Sequence, residues 1–372
     1  MDRDLSHVAA AIEAFKQGAM LVVTDDDDRE NEGDLFVAAE HCTNEAMGFI
    51  VRHTSGIVCA PMQGKDARRL RLDPMVSAND APLGTAFTVS VDVKHGLTTG
   101  ISAEERTNTV RALANGNVGA DDFVRPGHVF PLIAREGGVL VRSGHTEACV
   151  DLCKLAGLES VGVLAELVND DGSVKRGQQV ADFAKEHSLL SLSVADLIAW
   201  RQQSERLVTR VDEADVETRH GPARAYSYAV PFDAMQHLAI VYGDVSGAQN
   251  VPVRLHLESV SEDVFGASDR LDAVMQRFAN DGRGVIVYLR EGSVGVAPVS
   301  SRHARAGAGV EPGVEDDHET ANLRANQWRE IGLGAQILRD LGLTSIRLLS
   351  SQKRTYIGLE GFGITITDTE IV

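Results

Sequence analysis

The chain has 372 residues, 43% of them hydrophobic and 24% charged, a composition typical of a soluble globular protein with room for two domains. With 36 basic and 54 acidic residues its formal net charge is −18, and only 5% of residues are aromatic, which excludes nucleic-acid or anionic-membrane partners held by bulk electrostatics. Four cysteines, no signal-peptide core and no apolar run long enough to span a membrane predict a reducing, cytoplasmic location.

Helices and strands are interspersed in the first half of the chain, which predicts an α+β fold in α/β layers, with a mixed sheet packed by helices. Residues 87–93 alternate strictly between apolar and polar side chains, which predicts a half-buried strand with a polar face available for function. The other predicted strands cover residues 20–24, 139–142 and 161–166, and the predicted helices cover 5–17, 44–53, 103–113, 145–156, 178–187 and 193–202.

A polar stretch at 201–206 follows a helical pattern and precedes a new strand pattern, so we place a first domain at 1–203 and a second at 207–372. The second domain is predicted to be α+β as well, with a polar loop from about 301 to 321. Its predicted strands lie near 207–212, 223–230, 237–243, 252–258, 284–290 and 345–350, and its helix at 332–341.

An acidic run, TDDDDRENEGD at 24–34, follows directly on the first apolar strand. A solvated acidic loop is the plain interpretation of such a run. However, its position at a strand end and its interruption by Arg29 and Gly33 favour a shaped turn that faces a phosphate or a metal. Packed carboxylates are offset best by a hard divalent cation, and the spacing excludes an EF-hand.

A second motif, RSGHTE at 142–147, places a glycine and a histidine where a strand pattern gives way to a helix. Free N–H groups at a helix start suit a phosphate, and His145 is a candidate metal ligand or base. His145 shares a helical face with Cys149 and Cys153, so a zinc site is an alternative. The apolar residues around these cysteines favour a packed core instead, and no zinc is expected there.

Four further residues are candidates on weaker signals. Thr99 lies in a loop rich in hydroxyls and glycine that could bind phosphate, and His128 follows Pro126-Gly127 at the start of a strand. Glu166 is the one carboxylate that closes an apolar strand, a position suited to general acid–base catalysis. Cys59 is either a core cysteine or a functional one.

Taken together, DDDDRENEGD, FTVSVD, TTGISA, PGHVFPL, RSGHTEACVDL and GVLAE occur in this order over about residues 5–202. This set resembles 3,4-dihydroxy-2-butanone 4-phosphate synthase of riboflavin biosynthesis. The resemblance implies a homodimeric enzyme that converts D-ribulose 5-phosphate into L-3,4-dihydroxy-2-butanone 4-phosphate and formate. It also implies two divalent cations per active site, Mg²⁺ or Mn²⁺.

The resemblance implies roles for individual residues. Glu30 and His145 would be metal ligands, and His128, Glu166, Asp34 and Cys59 would match catalytic positions. The substrate-binding set would be Arg29, Glu30, Asp34, Thr99, Arg142, Ser143, Gly144, His145, Thr146 and Glu166.

The second half resembles GTP cyclohydrolase II over about residues 207–367, through VRLHLES, DVFGA, IGLGAQILRDLG and GLEGFGI. That family holds a catalytic zinc with three cysteines, whereas the matching positions here are Ser259, Arg270 and Asp272. A hydroxyl, a guanidinium and one carboxylate are a poor zinc set, although His256 and Glu258 lie nearby as alternative ligands. We therefore expect a degenerate domain without zinc, with a structural, assembly or regulatory role that includes binding other enzymes of the pathway.

Three interpretations follow. The first is a synthase with a non-catalytic second domain. The second is a bifunctional enzyme that also opens the ring of GTP, with other residues holding the metal. The third is a non-enzymatic metal-binding or regulatory protein.

Overall fold

The computed structural model describes residues 5–25, 30–231, 233–259, 263–264, 270–290, 332–350 and 363–371. These residues divide into two compact units, with the division between Trp200 and Arg201. Each unit contains one mixed sheet with helices, so the predicted fold class is confirmed. Within the described ranges, no helix combines the length and hydropathy that a bilayer-spanning segment requires.

The first unit is a helix–sheet–helix sandwich around a seven-stranded sheet in the order β4-β5-β3-β6-β2-β1-β7. The strands are β1 (Leu21–Thr24), β2 (Gly33–Ala38), β3 (Val58–Gln63), β4 (Val91–Val93), β5 (Phe123–Ala134), β6 (Gly162–Glu166) and β7 (Leu190–Ser193). The helices are α1 (Ser6–Lys16), α2 (Asn44–His53), α3 (Gly64–Arg69), α4 (Ala103–Ala114), α5 (His145–Leu155), α6 (Gln178–Glu186) and α7 (Val194–Ser204), which continues past the division after Trp200.

Both faces of this sheet are buried because apolar side chains along β2 alternate between two cores. Leu35 and Val37 join the core formed with α2, α4 and α6, whereas Phe36 and Ala38 join the core formed with α1, α5 and α7. A sheet covered on both faces leaves its strand ends as the places where polar side chains can gather.

Two sequence predictions in this unit are wrong. In 87–93 only Val91–Val93 is a strand. Besides Val91, the polar side chains of Thr88, Ser90 and Asp92 are buried. These polar side chains are buried because they form hydrogen bonds with β5. Thr88 donates to the Pro131 carbonyl, and Ser90 accepts from the Gly127 amide.

The segment predicted as a strand at 139–142 is a turn with a short 3₁₀ helix at Gly138–Leu140. Gly137 and Gly138 both have positive φ, which breaks an extended chain, and the buried Asp151 accepts a hydrogen bond from the Val139 amide. The propensity of Val139 and Val141 for strands is overridden by these two glycines.

The second unit contains a seven-stranded sheet in the order β14-β13-β11-β12-β10-β9-β8. Strands β8, β9, β10 and β12 pair antiparallel, and β12, β11, β13 and β14 pair parallel. The strands are β8 (Thr209–Thr218), β9 (Gly221–Val230), β10 (Asp233–Tyr242), β11 (Val251–Leu257), β12 (Gly284–Leu289), β13 (Ser345–Ser350) and β14 (Thr365–Ile371). The helices are α8 (Arg270–Asp281), which the sequence analysis missed, and α9 (332–340). The predicted loop at 301–321 lies outside the described residues.

Candidate active site

A cluster of acidic side chains surrounds His145, the first residue of α5. His145 Nδ1 lies 3.7 Å from Glu30 Oε2 and 3.9 Å from Asp34 Oδ2, and the His145 side chain is 7% exposed. Helix α5 starts here because Gly144 is extended and its carbonyl accepts the Ala148 amide, while Phe36 packs edge-on against the ring. The acidic run and the RSGHTE motif thus meet at one place, as the sequence analysis expected.

Asp25 completes this cluster. Ligand atoms of Asp25, Glu30 and His145 all lie within 4.8 Å of one another. Asp25 is buried, and its carboxylate accepts hydrogen bonds from the backbone amides of Glu30 and Glu32 at 3.1 and 3.0 Å. It therefore closes the loop that carries Glu30, a role that the sequence pattern did not single out among several neighbouring aspartates.

The donor set fits a hard divalent cation. Asp34 Oδ1 and His145 Nε2 are buried and have no hydrogen-bond partner among the described residues, which is costly unless another group satisfies them. Carboxylate oxygens with one imidazole suit Mg²⁺ or Mn²⁺, whereas zinc sites in proteins favour thiolate and imidazole sets. Cys149 and Cys153 lie in the apolar core behind α5, so the described residues offer no thiolate beside His145.

Burial and mutual interaction shift the pKa values of this cluster. Burial raises the pKa of Asp34 to about 7, although His145 pulls it down. Burial by itself would lower the pKa of His145, but the carboxylates of Asp34, Glu30 and Asp25 raise it to about 9. A cation bound here would replace the positive charge that the imidazolium supplies.

Two carboxylates stand side by side where β2 and β6 meet. Asp34 pairs directly with Glu166 in the antiparallel ladder, and Ser55 Oγ donates to Glu166 Oε2 at 2.7 Å. Glu166 is partly exposed while Asp34 is 2% exposed, so the more buried of the two predicted acid–base residues is Asp34. A carboxyl with a pKa near neutrality is suited to both accepting and returning a proton.

Cys59 lies on β3, next to the Asp34 and Glu166 carboxylates. Its side chain is 1% exposed and belongs to the core between the sheet and α5. Burial raises the pKa of its thiol well above 9, and the Glu166 and Asp34 carboxylates raise it further. The thiol is therefore protonated at neutral pH and is not an activated nucleophile. Its catalytic role stays a prediction.

Arg142 is held by an ion pair with a buried carboxylate. Its Nη1 lies 2.6 Å from Glu147 Oε2, and its Nη2 donates to the Leu83 carbonyl and to Thr85 Oγ1. A Cβ on Gly144 would lie 2.5 Å from Arg142 Nη1 and 2.9 Å from Glu147 Oε2, so a side chain at this position would displace the paired ends of both residues. Thr146 is buried and Ser143 half-buried at the same end of α5, and Arg29 lies outside the described residues.

His128 belongs to a second polar group, on β5. Its backbone amide donates to Asp92 Oδ1 at 2.8 Å, and its Nδ1 lies 2.7 Å from Asp92 Oδ2. Asp92 is buried, whereas the His128 side chain is 41% exposed. A Cβ on Gly100 would overlap the Asp92 carboxylate and crowd the imidazole. In the described part of the chain, no hydrogen bond joins His128 to Asp34, His145 or Glu166.

The loop that carries Thr99 has its amides occupied. The backbone amides of Thr98 and Thr99 donate to Glu105 Oε1, and Ser102 and Glu105 form a capping box at the start of α4. The Thr99 side chain is exposed. These amides are therefore not free to bind a phosphate, and any substrate contact would come from the hydroxyl.

In the second unit, the residues at the family's zinc positions have other partners. Asp272 Oδ1 lies 3.0 Å from His220 Nε2, and His256 Nε2 lies 2.9 Å from Asp263 Oδ1. Glu258 pairs with Arg290 at 3.1 Å, just beyond the end of β11. Among described residues these groups do not form a three-ligand cluster, and the side chain of Arg270 lies outside the description.

Residues 9–200 match the family model described as 3,4-dihydroxy-2-butanone 4-phosphate synthase. The chain belongs to this family. It is an enzyme of riboflavin biosynthesis, a 3,4-dihydroxy-2-butanone 4-phosphate synthase. Residues 209–370 of the synthase match the model described as GTP cyclohydrolase II.

Curated relatives share both domains of the synthase. "Bifunctional riboflavin biosynthesis protein RIBA 1, chloroplastic" from Arabidopsis thaliana is 46% identical, with 97% of this chain and 68% of that protein covered. "Monofunctional riboflavin biosynthesis protein RIBA 2, chloroplastic" from the same plant is 44% identical, with 97% and 75% covered. Similar two-domain chains thus carry both kinds of name.

Solved structures agree with the fold of the synthase. RibBX, titled a two-domain 3,4-dihydroxy-2-butanone 4-phosphate synthase from A. baumannii, covers 98% of both chains at 33% identity with a TM-score of 0.80. A 3,4-dihydroxy-2-butanone 4-phosphate synthase in complex with two magnesium ions covers 53% of this chain and 97% of its own at 44% identity, with a TM-score of 0.52.

Proposed function

We propose that the first domain converts D-ribulose 5-phosphate into L-3,4-dihydroxy-2-butanone 4-phosphate and formate, with Mg²⁺ or Mn²⁺ held by Glu30 and His145. The observation that carries this proposal is the meeting of Asp25, Glu30 and His145 beside the buried Asp34. When bound, the cations would act as Lewis acids toward the hydroxyl and carbonyl oxygens of the sugar.

The protein's own residues account for the proton transfers that this reaction needs. The substrate loses a proton at C1, loses water, rearranges its carbon skeleton, takes up a water at C4 and expels C4 as formate. Asp34, buried beside the proposed cation site, takes up and returns protons, and Glu166 on the adjacent strand provides the second carboxyl. Ser55 orients Glu166 by donating to its carboxylate.

The start of α5 is the proposed site for the substrate phosphate. Backbone N–H groups at a helix N-terminus bind anions, and Ser143, Gly144 and Thr146 lie there. Arg142 stands beside them in its ion pair with Glu147. Arg29 and Thr99 complete the proposed substrate set, and His128, held by Asp92, completes the proposed catalytic set together with Cys59.

The direct test is formate release from ribulose 5-phosphate by the full chain, with and without Mg²⁺. Glu30→Gln and His145→Gln should abolish turnover and weaken Mn²⁺ binding, whereas Glu32→Gln, which removes the neighbouring carboxylate that pairs with Arg176, should do neither. Turnover in Glu30→Gln at the wild-type rate and metal dependence would contradict the proposed site.

The second domain, in this proposal, does not open the ring of GTP. Ser259 is not a zinc ligand at neutral pH, Asp272 faces His220, and the alternative ligands His256 and Glu258 are engaged by Asp263 and Arg290. The names RIBA 2 and RibBX support this assignment, and the name RIBA 1 opposes it. The domain then serves in structure, assembly, regulation or binding of other pathway enzymes.

The proposed assembly is a homodimer in the cytoplasm. Ile57 is 49% exposed and Ile101 54% exposed, each within two residues of a site-related residue, and a dimer interface there would bury both apolar side chains. The four cysteines are free and buried, which fits a reducing compartment. Mass photometry of the full chain tests the assembly, since a monomer would contradict it.

A further inference from the structure

A pocket of about 570 Å³ opens at the end of the first-domain sheet opposite the candidate active site. It is lined by Gln63 and Ala134, the last residues of the parallel strands β3 and β5. Cys59 lies four residues before Gln63, about 13 Å along the strand. Lys154, also in the lining, lies nine residues after His145, about 13 Å along α5. The pocket is therefore separate from the acidic cluster.

The charge around this pocket is opposite to that of the whole protein. Four basic side chains line it, Lys65, Arg68, Arg135 and Lys154, against one acidic side chain, Glu136. All four are exposed, and in the described part of the chain no ion pair or side-chain hydrogen bond engages Lys65, Arg68 or Arg135. Lys154 has only a 3.9 Å approach to the buried Asp151. In a chain of net charge −18, four cations around one concavity attract an anion.

The rest of the lining combines the uncharged polar side chains of Gln63, Ser77 and Asn79 with an apolar part that includes an aromatic ring. Phe87, Ile133 and Val150 contribute to it, and Phe87 is partly exposed. A volume of this size suits a small organic molecule, because ligand pockets in proteins span roughly 300–1,000 Å³. Apolar walls with several cations match a compound that carries both a ring and a phosphate.

The pocket is connected to Arg142 through shared residues. Glu147 accepts the Arg135 amide on one oxygen and Arg142 Nη1 on the other. In addition, Arg142 Nη2 contacts Thr85, which lies between the lining residues Gly84 and Ala86. A ligand that moves Arg135 or the 84–86 segment thus acts on the residue beside the proposed phosphate site.

We infer that this pocket is a regulatory site for a ring-bearing organic phosphate, separate from the active site. The binding half of this inference is independent of the proposed function, because it is measured without substrate. The regulatory half rests on the proposed role of Arg142.

The experiment measures binding of flavin mononucleotide and of adenosine monophosphate to the full chain, each against the same compound without phosphate, riboflavin and adenosine. Inorganic phosphate serves as competitor. We expect each monophosphate to bind at least about tenfold more tightly than its partner, with the two arms showing which ring the pocket prefers. No binding of either monophosphate below roughly 1 mM would overturn the site.

Variants locate the binding. Arg68→Gln/Arg135→Gln and, as a second pair on other elements, Lys65→Gln/Lys154→Gln should each weaken binding at least about tenfold. Lys16→Gln/Arg111→Gln makes the same change of charge on exposed positions outside the lining and should leave it unchanged. Equal binding in all three would place the ligand elsewhere and contradict the inference.

Regulation is measured by steady-state kinetics in the presence of a saturating concentration of whichever monophosphate binds more tightly. Regulation is supported if the monophosphate changes the KM for ribulose 5-phosphate in the wild-type chain but not in Arg68→Gln/Arg135→Gln. An unchanged KM together with confirmed binding overturns the regulatory half alone.

Discussion

Asp34 and Glu166 face each other across the β2–β6 ladder, so two carboxylates occupy neighbouring strands at the sheet end where α5 presents His145. The two differ in environment. Asp34 is buried, and no described residue donates a hydrogen bond to its Oδ1, whereas Glu166 is partly exposed and accepts a hydrogen bond from Ser55. Neighbouring carboxyls in unlike environments are suited to different steps of one proton-transfer sequence.

Replacement of either carboxyl should therefore slow catalysis without unfolding the protein. We expect Asp34→Asn and Glu166→Gln each to lower kcat for formate release by about 10²–10⁴-fold, the usual size of a general acid–base contribution. The exposed Glu104→Gln on α4 is the matched control and should retain wild-type turnover. Near-wild-type kcat in Glu166→Gln would remove it from the mechanism.

The stability of the metal-free protein should fall as the pH rises from 6.5 to 9. His145 has a pKa of about 9 in the folded chain and 6.5 when unfolded, so in this window the folded state holds the extra proton. Below pH 6.5 His145 contributes on the order of 3 kcal/mol to the free energy of unfolding, and this contribution is lost as the pH rises through 9. Asp34 has a pKa of about 7 in the folded chain and 3.8 when unfolded, so its contribution to stability also falls as the pH rises across that range.

Denaturant unfolding of the EDTA-treated full chain across this pH range measures the effect. His145→Gln should flatten the dependence between pH 6.5 and 9, and saturating Mg²⁺ should do so as well, because a cation takes the place of the proton. If the unfolding free energy of His145→Gln still falls steeply between pH 6.5 and 9, another group causes the pH dependence.

Much of this site could be predicted from the sequence because its residues cluster in short motifs. Glu30 and His145 stand in an acidic run and a Gly-His segment, and the helix that starts at His145 follows from apolar periodicity. Asp25 could not be distinguished from the aspartates beside it, because its role depends on which carboxylate reaches the amides of Glu30 and Glu32.

Other features depend on contacts distant in sequence. The buried Asp92 that holds His128 was assigned to an exposed face, since strict alternation at 87–93 indicates a surface strand unless β5 is known to cover it. Helix α8 is amphipathic and packs Phe278 into the core, so the apolar periodicity of residues 270–281 carries a helix signal that the predicted elements did not include.

A side chain at position 144 should uncouple Arg142 from Glu147. Gly144→Ala would place a Cβ within 2.5 Å of Arg142 Nη1, so the buried Glu147 would lose part of its pairing. We expect a loss of about 1–3 kcal/mol in unfolding free energy and a higher KM for the sugar phosphate. Gly48→Ala on α2, where a Cβ meets nothing within 4 Å, is the control and should stabilise the chain by up to about 1 kcal/mol.

The last prediction concerns zinc in the second domain. Catalytic zinc needs three ligands that bind at neutral pH, and the family's three positions here are Ser259, Arg270 and Asp272. The purified chain should contain less than stoichiometric zinc by mass spectrometry of metals and should release no formate from GTP.

A variant that carries the three cysteines of the family tests this prediction more stringently. The triple variant Ser259→Cys/Arg270→Cys/Asp272→Cys supplies three thiolates, and we expect it to bind about one zinc per chain because thiolates are strong zinc ligands. A variant with cysteines at the exposed positions Asp215, Asp244 and Arg339 instead, which lie on separate elements outside the matched set, controls for thiols as such and should bind less zinc. One tightly bound zinc in the unmodified chain, with formate released from GTP, would restore the bifunctional interpretation, because His256, Glu258 or Asp272 would then have exchanged Asp263, Arg290 or His220 for the metal.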